Sequence, residues 1–270
     1  MRPLHIGILN VMHDKADTNA RFNRVLRLAG LPIVPHFYYP VSHYAGRAVP
    51  SAVSAILAPL RIDEAAALDA FIITGAPVEQ FAFADVTYIA EVNALLDALA
   101  AGGREQLYLC WGGMAALAHQ YGIAKHMLPH KLFGVYPHEQ LAASDLLTGL
   151  PAGFMAPHAR YAEMDRAQVQ ATSALTLVSE TPAHHLFLVE NAAAHQTFMF
   201  AHLEYGPLGL AHEYQREIAA HPERHYRRPE QVFADPAHFG GPVFNWADTQ
   251  ATFFSQWVRR VAANRLSSTN

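Results

Sequence analysis

Cys110 is the one cysteine among 270 residues. It follows the apolar run Leu107-Tyr108-Leu109 and precedes Trp111-Gly112-Gly113-Met114-Ala115-Ala116-Leu117. A strand that ends in a thiol, followed by small residues and then a helix, exposes that thiol on a sharp turn beside free backbone N–H groups. Such geometry suits an acyl-enzyme. A free cysteine also serves as a small buried hydrophobe, so the catalytic reading needs a histidine elsewhere in the chain. The segment Gln196-Thr197-Phe198-Met199-Phe200-Ala201 reads as a second buried strand and ends in His202-Leu203-Glu204-Tyr205. Alternation at a strand end puts His202 and Glu204 on the same side, with a carboxylate near an imidazole. Nucleophile, base and orienting acid are therefore all on hand.

The elements that must position these groups alternate between strand and helix. Ile6–Met12 reads as a buried first strand rather than a leader peptide, because its apolar stretch is short and His13-Asp14-Lys15-Ala16-Asp17 after it is polar. Asp17-Thr18-Asn19 supplies cap candidates for a helix in which Phe22, Val25, Leu26 and Ala29 recur at helical spacing until Gly30. Leu31–Tyr38 is the next strand, followed by an aromatic loop to about Pro50 and a stretch of undecided type within the distinctive 39–69 segment. Ala70–Thr74 is a strand closed by Gly75-Ala76-Pro77, and Tyr88–Ala101 is a helix with apolar residues at Ile89, Val92, Leu95, Leu96 and Leu99. Strand pieces around 154–161, 175–180 and 185–190 suit a hairpin or mixed sheet, and Thr249–Arg265 is an amphipathic helix. This pattern predicts an α/β fold, a mostly parallel sheet with helices on both faces and ligand sites at the carboxyl ends of its strands. Thr74-Gly75-Ala76-Pro77, Cys110 and His202 all occupy such ends.

Composition narrows the classes. With 51% hydrophobic and 16% charged residues the chain can bury a sizeable core. One domain over residues 1–270 is expected, with a core from about 5 to 262 and an unstructured tail at 263–270. A formal charge of −4 without a basic stripe argues against nucleic-acid binding. No apolar run is long enough for a membrane helix. One cysteine excludes an internal disulfide framework, and a working thiol fits a reducing, cytoplasmic compartment. Adjacent His184-His185, and His221, His225 and His238 in a polar stretch, match no metal-ligand spacing and read as loop histidines. Gly102-Gly103 reads as a helix-end turn, since no phosphate-binding pattern surrounds it.

In order along the chain stand Ile8-Leu9-Asn10-Val11-Met12, Thr74-Gly75-Ala76-Pro77, Cys110-Trp111, Lys131-Leu132-Phe133-Gly134-Val135-Tyr136, Ala156-Pro157-His158-Ala159-Arg160-Tyr161, His202-Leu203-Glu204-Tyr205 and Glu213-Tyr214-Gln215-Arg216. Together they make the chain resemble the homoserine O-acyltransferases of the MetA type, from about residue 6 to the helix of Trp257. The resemblance implies a flavodoxin-like fold of the class I glutamine amidotransferase kind. It implies ping-pong transfer from acyl-CoA to L-homoserine through a Cys110 thioester, for methionine biosynthesis. His202 would be the general base and Glu204 its orienting acid. The N–H groups of Trp111 and Ala76 would form the oxyanion hole. Lys131 and Arg216 match the family's substrate-contacting basic residues, although either alone reads as surface charge. Glu79 falls at the position associated with acyl choice and favours acetyl-CoA over succinyl-CoA, because a carboxylate there repels the free carboxylate of a succinyl group. Acyl-CoA is a co-substrate, no tightly bound cofactor is implied, and a homodimer is compatible with the family.

Several positions depart from the family pattern. Ala159 stands where Pro-His-Ser-Arg-Tyr has a serine linked to acceptor recognition, Leu203 replaces a proline, Gly206 replaces an aspartate, and Gly112-Gly113-Met114 replaces larger residues. These departures leave the reaction type and open the acceptor, with L-serine, one methylene shorter, as the rival. A cysteine hydrolase or amidotransferase would use the same Cys110, His202 and Glu204 but release product to water. A silent binding protein would load no thioester.

Overall fold

The computed structural model describes residues 2–235 and 240–267. The chain runs β1 (Leu4–Leu9), α1 (Lys15–Leu26), β2 (Ile33–Tyr39), α2 (Ser51–Ser54), β3 (Ala58–Pro59), α3 (Ile62–Ala66), β4 (Ala70–Ile73), α4 (Ile89–Gly102), β5 (Glu105–Leu109) and α5 (Trp111–Tyr121). It continues through β6 (Lys125–Pro137), β7 (Glu139–Gln140), β8 (Met155–Met164), α6 (Arg166–Ala171), β9 (Thr176–Glu180), β10 (Leu186–Asn191) and β11 (Gln196–Met199). Last come α7 (Gly209–Ala220), β12 (Phe233–Asp235), β13 (Gly240–Pro242) and α8 (Ala247–Ser267).

Nine strands form one sheet in the order β3-β2-β1-β4-β5-β11-β10-β9-β7. The strands from β3 to β11 pair in parallel, and β10, β9 and β7 extend that sheet antiparallel. Strand alternation sends Ile72, Leu107 and Leu109 to one face, where Phe22, Val25 and Leu26 of α1 and Phe253, Phe254, Trp257, Val258 and Val261 of α8 cover them. Phe71, Ile73 and Tyr108 face the other way, against Val92, Leu95, Leu96 and Leu99 of α4 and Met114 and Leu117 of α5. Both faces are dry, so the central strands are apolar throughout and stay legible as continuous hydrophobic runs. Strand order reverses between β1 and β4, the place where doubly wound sheets open a crevice at their carboxyl ends.

A separate antiparallel ribbon, β6 with β8, crosses that end of the sheet. Its register is regular from Leu132 opposite Arg160 to Pro137 opposite Met155, and it is interrupted between Met127 and Leu132. Such irregularities re-aim side chains near sites, and Lys131 lies inside this one. The buried Arg160 side chain locks the ribbon to the main sheet, donating to the carbonyls of Phe200 and Leu186, each at 2.9 Å, and pairing with Glu163 at 2.6 Å.

Two expectations need correction, and a third gains detail. The first helix is capped by Asp14, whose carboxylate accepts the Asp17 N–H at 3.0 Å, and not from within 17–19. Asn19 is already engaged, accepting from the Asn10 amide at 2.9 Å. The expected loop after Tyr39 opens with a short 3-10 turn at Val41–Tyr44 and is pinned, because the Glu91 carboxylate of α4 accepts the N–H groups of Val41 and Ser42 at 2.8 and 2.7 Å. The chain past residue 262 is not an unstructured tail as far as Ser267: α8 continues there and Arg265 donates to the Pro3 carbonyl at 2.9 Å. Residues 268–270 of the expected tail lie outside the described residues. Among the described residues no helix is long and apolar enough to cross a membrane.

Gly112 explains the small residues after the cysteine. A Cβ at that position would stand 2.7 Å from the Ile73 carbonyl oxygen and 2.9 Å from that of Thr74, so only glycine lets α5 lie this close to the end of β4. Gly112→Ala should destabilise the fold by about 1–3 kcal/mol through overpacking, opposed by roughly 1 kcal/mol of improved helix propensity. Urea unfolding should therefore show a lower midpoint. An unchanged midpoint would mean that α5 can withdraw from β4 at no cost.

Candidate active site

Cys110 joins β5 to α5 with φ +46° and ψ −111°, a left-handed backbone that a non-glycine residue adopts at a strain of about 1–3 kcal/mol. Two backbone bonds hold it there. Its N–H donates to the Met199 carbonyl at the end of β11 at 2.8 Å, and its carbonyl accepts from Met114 in the first turn of α5 at 3.0 Å. The thiol thus sits at the N-terminus of an eleven-residue helix, whose positive end favours a negative sulfur. The Trp111 N–H opens that helix and has no intrahelical acceptor. Gly75, after β4, closes the site from the opposite side, where a Cβ would lie 3.3 Å from His202 Cε1 and 3.4 Å from Cys110 Cβ.

His202 and Glu204 are brought together as expected, but by a different device. β11 ends at Met199, and 202–205 form a tight turn closed by the Tyr205 N–H donating to the His202 carbonyl at 2.9 Å. The turn, and not strand alternation, places Glu204 Oε1 2.8 Å from His202 Nδ1. The His202 N–H donates to the Pro157 carbonyl of β8 at 2.8 Å, and Arg24 donates to the Glu204 carbonyl at 2.8 Å. The Tyr205 ring stacks on the imidazole with centroids 4.6 Å apart. Burial alone would push the imidazole down. The Glu204 carboxylate and the Cys110 sulfur, which is also a hydrogen-bond partner of His202, outweigh it and hold His202 well above its ordinary value.

A cavity of about 570 Å³ opens over this pair and is lined by Cys110, His202, Ala76, Glu79, Lys131, Ala159 and Arg216, so most of the expected site residues face one space. Glu204 and Trp111 lie behind it, the first supporting His202 and the second buried beneath the thiol. Lys131 is not surface charge: its ammonium is buried between Glu213 and Glu217 of α7, 2.6 Å from each. Those two carboxylates outweigh the cost of burying Lys131 and hold it above its ordinary value. Arg216 is half-buried at the cavity wall, with no carboxylate in ion-pair range among the described residues. Burial raises the Glu79 carboxyl, and Lys125 holds its loop by donating to the carbonyls of Glu79 and Phe81.

Several lining residues went unread as site residues in the sequence: His13, Tyr161, Tyr205, Glu213 and Glu217. Four of the cavity residues on α7 carry a readable signal, since Glu213, Arg216, Glu217 and Ala220 recur at i, i+3, i+4 and i+7 and mark one helix face. His221 and His225 are exposed but stand at the cavity, whereas His184 is exposed and pairs with Glu180 at 2.6 Å. His238 lies outside the described residues. Among the described residues no group of three or more His, Cys, Asp or Glu side chains could hold a metal ion.

The sign of the His202 shift makes a prediction. A carboxylate beside an imidazolium favours the charged form, so Glu204→Gln should lower the His202 pKa, read from its ring resonances in an NMR pH titration. A raised folded value gives stability that is fully present below the unfolded pKa of about 6.5 and is lost as pH rises through the folded value. The variant should therefore lose more stability on the acid side of that window than on the alkaline side. An unmoved His202 titration would show that Glu204 carries no charge there.

The profile of the homoserine O-succinyltransferase family matches residues 1–266. A serine O-acetyltransferase of Lacticaseibacillus casei is 52% identical over 263 residues, covering 97% of each chain. A homoserine O-acetyltransferase of Brevibacillus brevis is 32% identical over 264 residues, covering 96% of this chain and 84% of that one. Among solved structures, a glutamine amidotransferase of Thermotoga maritima superposes with a TM-score of 0.63 at 10% identity, covering 97% of this chain and 99% of that one, which is a likeness of fold. A strand-end cysteine beside a histidine, on a sheet of the glutamine amidotransferase kind, thus coincides with a sequence match over nearly its full length: the chain belongs to the homoserine O-succinyltransferase family and is an O-acyltransferase.

Proposed function

We propose that this protein transfers an acetyl group from acetyl-CoA to the side-chain hydroxyl of L-serine through a thioester on Cys110. The observation that carries the acceptor is the 52% identity over 97% of both chains to a protein named serine O-acetyltransferase, against 32% to one named homoserine O-acetyltransferase. Ala159 supports the same choice, because it faces the cavity without the hydroxyl that the sequence pattern ties to the longer acceptor. L-homoserine, the acceptor first expected, is the second reading and rests on the family match.

The steps follow from the geometry. Cys110 Sγ gives its proton to His202 and attacks the thioester carbonyl of the donor, while the N–H groups of Trp111 and Ala76 meet the developing oxyanion. CoA leaves as the thiol, taking the proton from the imidazolium. The acceptor hydroxyl then gives its proton to His202 and attacks the Cys110 thioester; the carbon–sulfur bond breaks, the O-acetyl product leaves, and the departing sulfur takes the proton back from His202. Glu204 fixes the tautomer that presents the second ring nitrogen to the thiol. Glu79, buried at the cavity wall, disfavours a donor whose acyl chain ends in a carboxylate.

CoA release should be followed against acetyl-CoA and succinyl-CoA with L-serine, L-homoserine or no acceptor, with intact-protein mass spectrometry alongside. The expected result is release that L-serine accelerates most, with an acetyl adduct that Cys110→Ser removes. Faster turnover with L-homoserine would return the acceptor to the second reading, and release without an acceptor would mean hydrolysis. Glu79→Gly should raise the succinyl-CoA to acetyl-CoA ratio of kcat/KM. An unaltered ratio would remove Glu79 from acyl choice.

A further inference from the structure

The cavity of about 570 Å³ is larger than a serine and an acetyl group need, and its lining continues past the end of α7. Glu213, bonded to the Tyr205 hydroxyl, marks the catalytic end, and Ala220 stands two turns further, roughly 10 Å along the helix axis. Beyond Ala220 the chain turns basic. Residues 221–228 carry three arginines and two histidines against one glutamate, in a sequence whose formal charge is −4. His221, Arg224 and His225 of this segment line the cavity and are exposed. The acyl-transfer steps employ none of them.

The fold holds the segment in place. Pro222 keeps His221 out of the helical region, at φ −140° and ψ +69°, and so ends α7. The Arg224 N–H then closes a turn on the His221 carbonyl at 3.0 Å. Tyr226 packs against the core, Pro229 is buried, and Glu230 joins β6: its N–H donates to the Phe133 carbonyl at 2.9 Å and its carbonyl accepts from Val135 at 3.0 Å. The cations on this tethered segment are weakly engaged. Glu223 lies 3.4 Å from His221 and 3.7 Å from Arg224, and all three side chains are exposed, so these pairs contribute little. Deeper in, one Lys131 faces both Glu213 and Glu217, which leaves that part of the wall net negative. A phosphate is therefore repelled from the inner wall and attracted to the mouth.

An acyl-CoA has the complementary division of charge, a neutral acyl-pantetheine arm and a phosphate-bearing nucleotide end. We propose that Arg224, with His221 and His225, binds the phosphates of acetyl-CoA at the cavity mouth while the neutral arm lies along α7 and brings the thioester to Cys110. The carbonyl end of α7 is partially negative, so side-chain cations and not backbone N–H groups must supply this site. The assignment rests on the donor reading above and adds to it where the nucleotide end is held.

The test measures the rate of Cys110 acetylation by intact-protein mass spectrometry, without acceptor, at varied concentrations of acetyl-CoA or S-acetylpantetheine, which keeps the thioester and arm and lacks the phosphates. The wild type should prefer acetyl-CoA by about 10- to 100-fold, the range of charge-assisted hydrogen bonds. Arg224→Ala should raise the half-saturating acetyl-CoA concentration about tenfold and shrink the preference accordingly, and Arg224→Lys should recover part of it. Glu223→Gln should act in the opposite direction, because it removes the carboxylate that competes with phosphate for both cations. Added salt should weaken acetyl-CoA use more in the wild type than in Arg224→Ala. A wild type without the preference, an Arg224→Ala protein that keeps it in full, or an equal loss with both donors overturns the assignment alone. No adduct from either donor overturns the donor reading and the assignment with it.

Discussion

The bond from the Cys110 N–H to the Met199 carbonyl sets the register on which the site depends. It fixes the end of β5 beside the end of β11, so that the thiol and the turn bearing His202 emerge at the same height on neighbouring parallel strands. The positive φ of Cys110 then follows, because the chain must leave the sheet at once and enter α5 with the side chain held forward. The same sharp exit explains Gly112, which lets α5 lie against the end of β4. Strain at one residue is sustained by a hydrogen bond on one side and a helix on the other.

The imidazole is held with comparable economy of movement. Its backbone is tied to Pro157 on the ribbon, its ring stacks on Tyr205, and its Nδ1 is taken by Glu204. Tyr205 is itself fixed, with Arg21 over its ring at 4.2 Å and its hydroxyl on Glu213. Glu213 also binds Lys131, so the His202 ring and the α7 charges are linked through Tyr205 and are not two separate sites. Linkage of this kind holds the imidazole in one orientation, since the groups around it are already bonded.

What the sequence made legible divides along physical lines. The strands around Cys110 and His202 were readable because both sheet faces are covered and their residues form continuous apolar runs. The i, i+2 spacing of His202 and Glu204 points to their pairing but not to its cause: a strand and a tight turn can each set such residues side by side, and spacing alone does not distinguish them. The capping by Asp14 and the pinning of Val41 and Ser42 by Glu91 depend on contacts that no periodicity reports. Lys131 carries an ordinary surface signature in the sequence and becomes buried only because β6 is irregular at that point and α7 supplies two carboxylates. His13 reaches the cavity from the loop after β1, a position fixed by topology and not by local pattern.

The division of labour between these parts bears on how one scaffold can serve different acceptors. Cys110, His202 and Glu204 hang from the rigid carboxyl edge of the central sheet, where a shift in one strand would disturb several others. Ala159 and Lys131 ride on the β6–β8 ribbon, and Glu213, Arg216 and Glu217 ride on α7, neither of which is a strand of the nine-stranded sheet. Changes there can reshape the cavity wall while leaving the backbone bonds of Cys110 intact. An acceptor shorter by one methylene still has to bring its hydroxyl to the same sulfur, so its charged end must be held deeper or the wall must advance. Only small changes in length are involved, and in an apolar pocket a single methylene is worth about 1–3 kcal/mol of discrimination. On the acceptor reading proposed above, it is the ribbon side chains that have to tell one amino acid from its homologue. Those side chains sit on an element other than the strand ends that carry Cys110 and the His202 turn, so the cavity wall can vary while the thiol and imidazole stay in place.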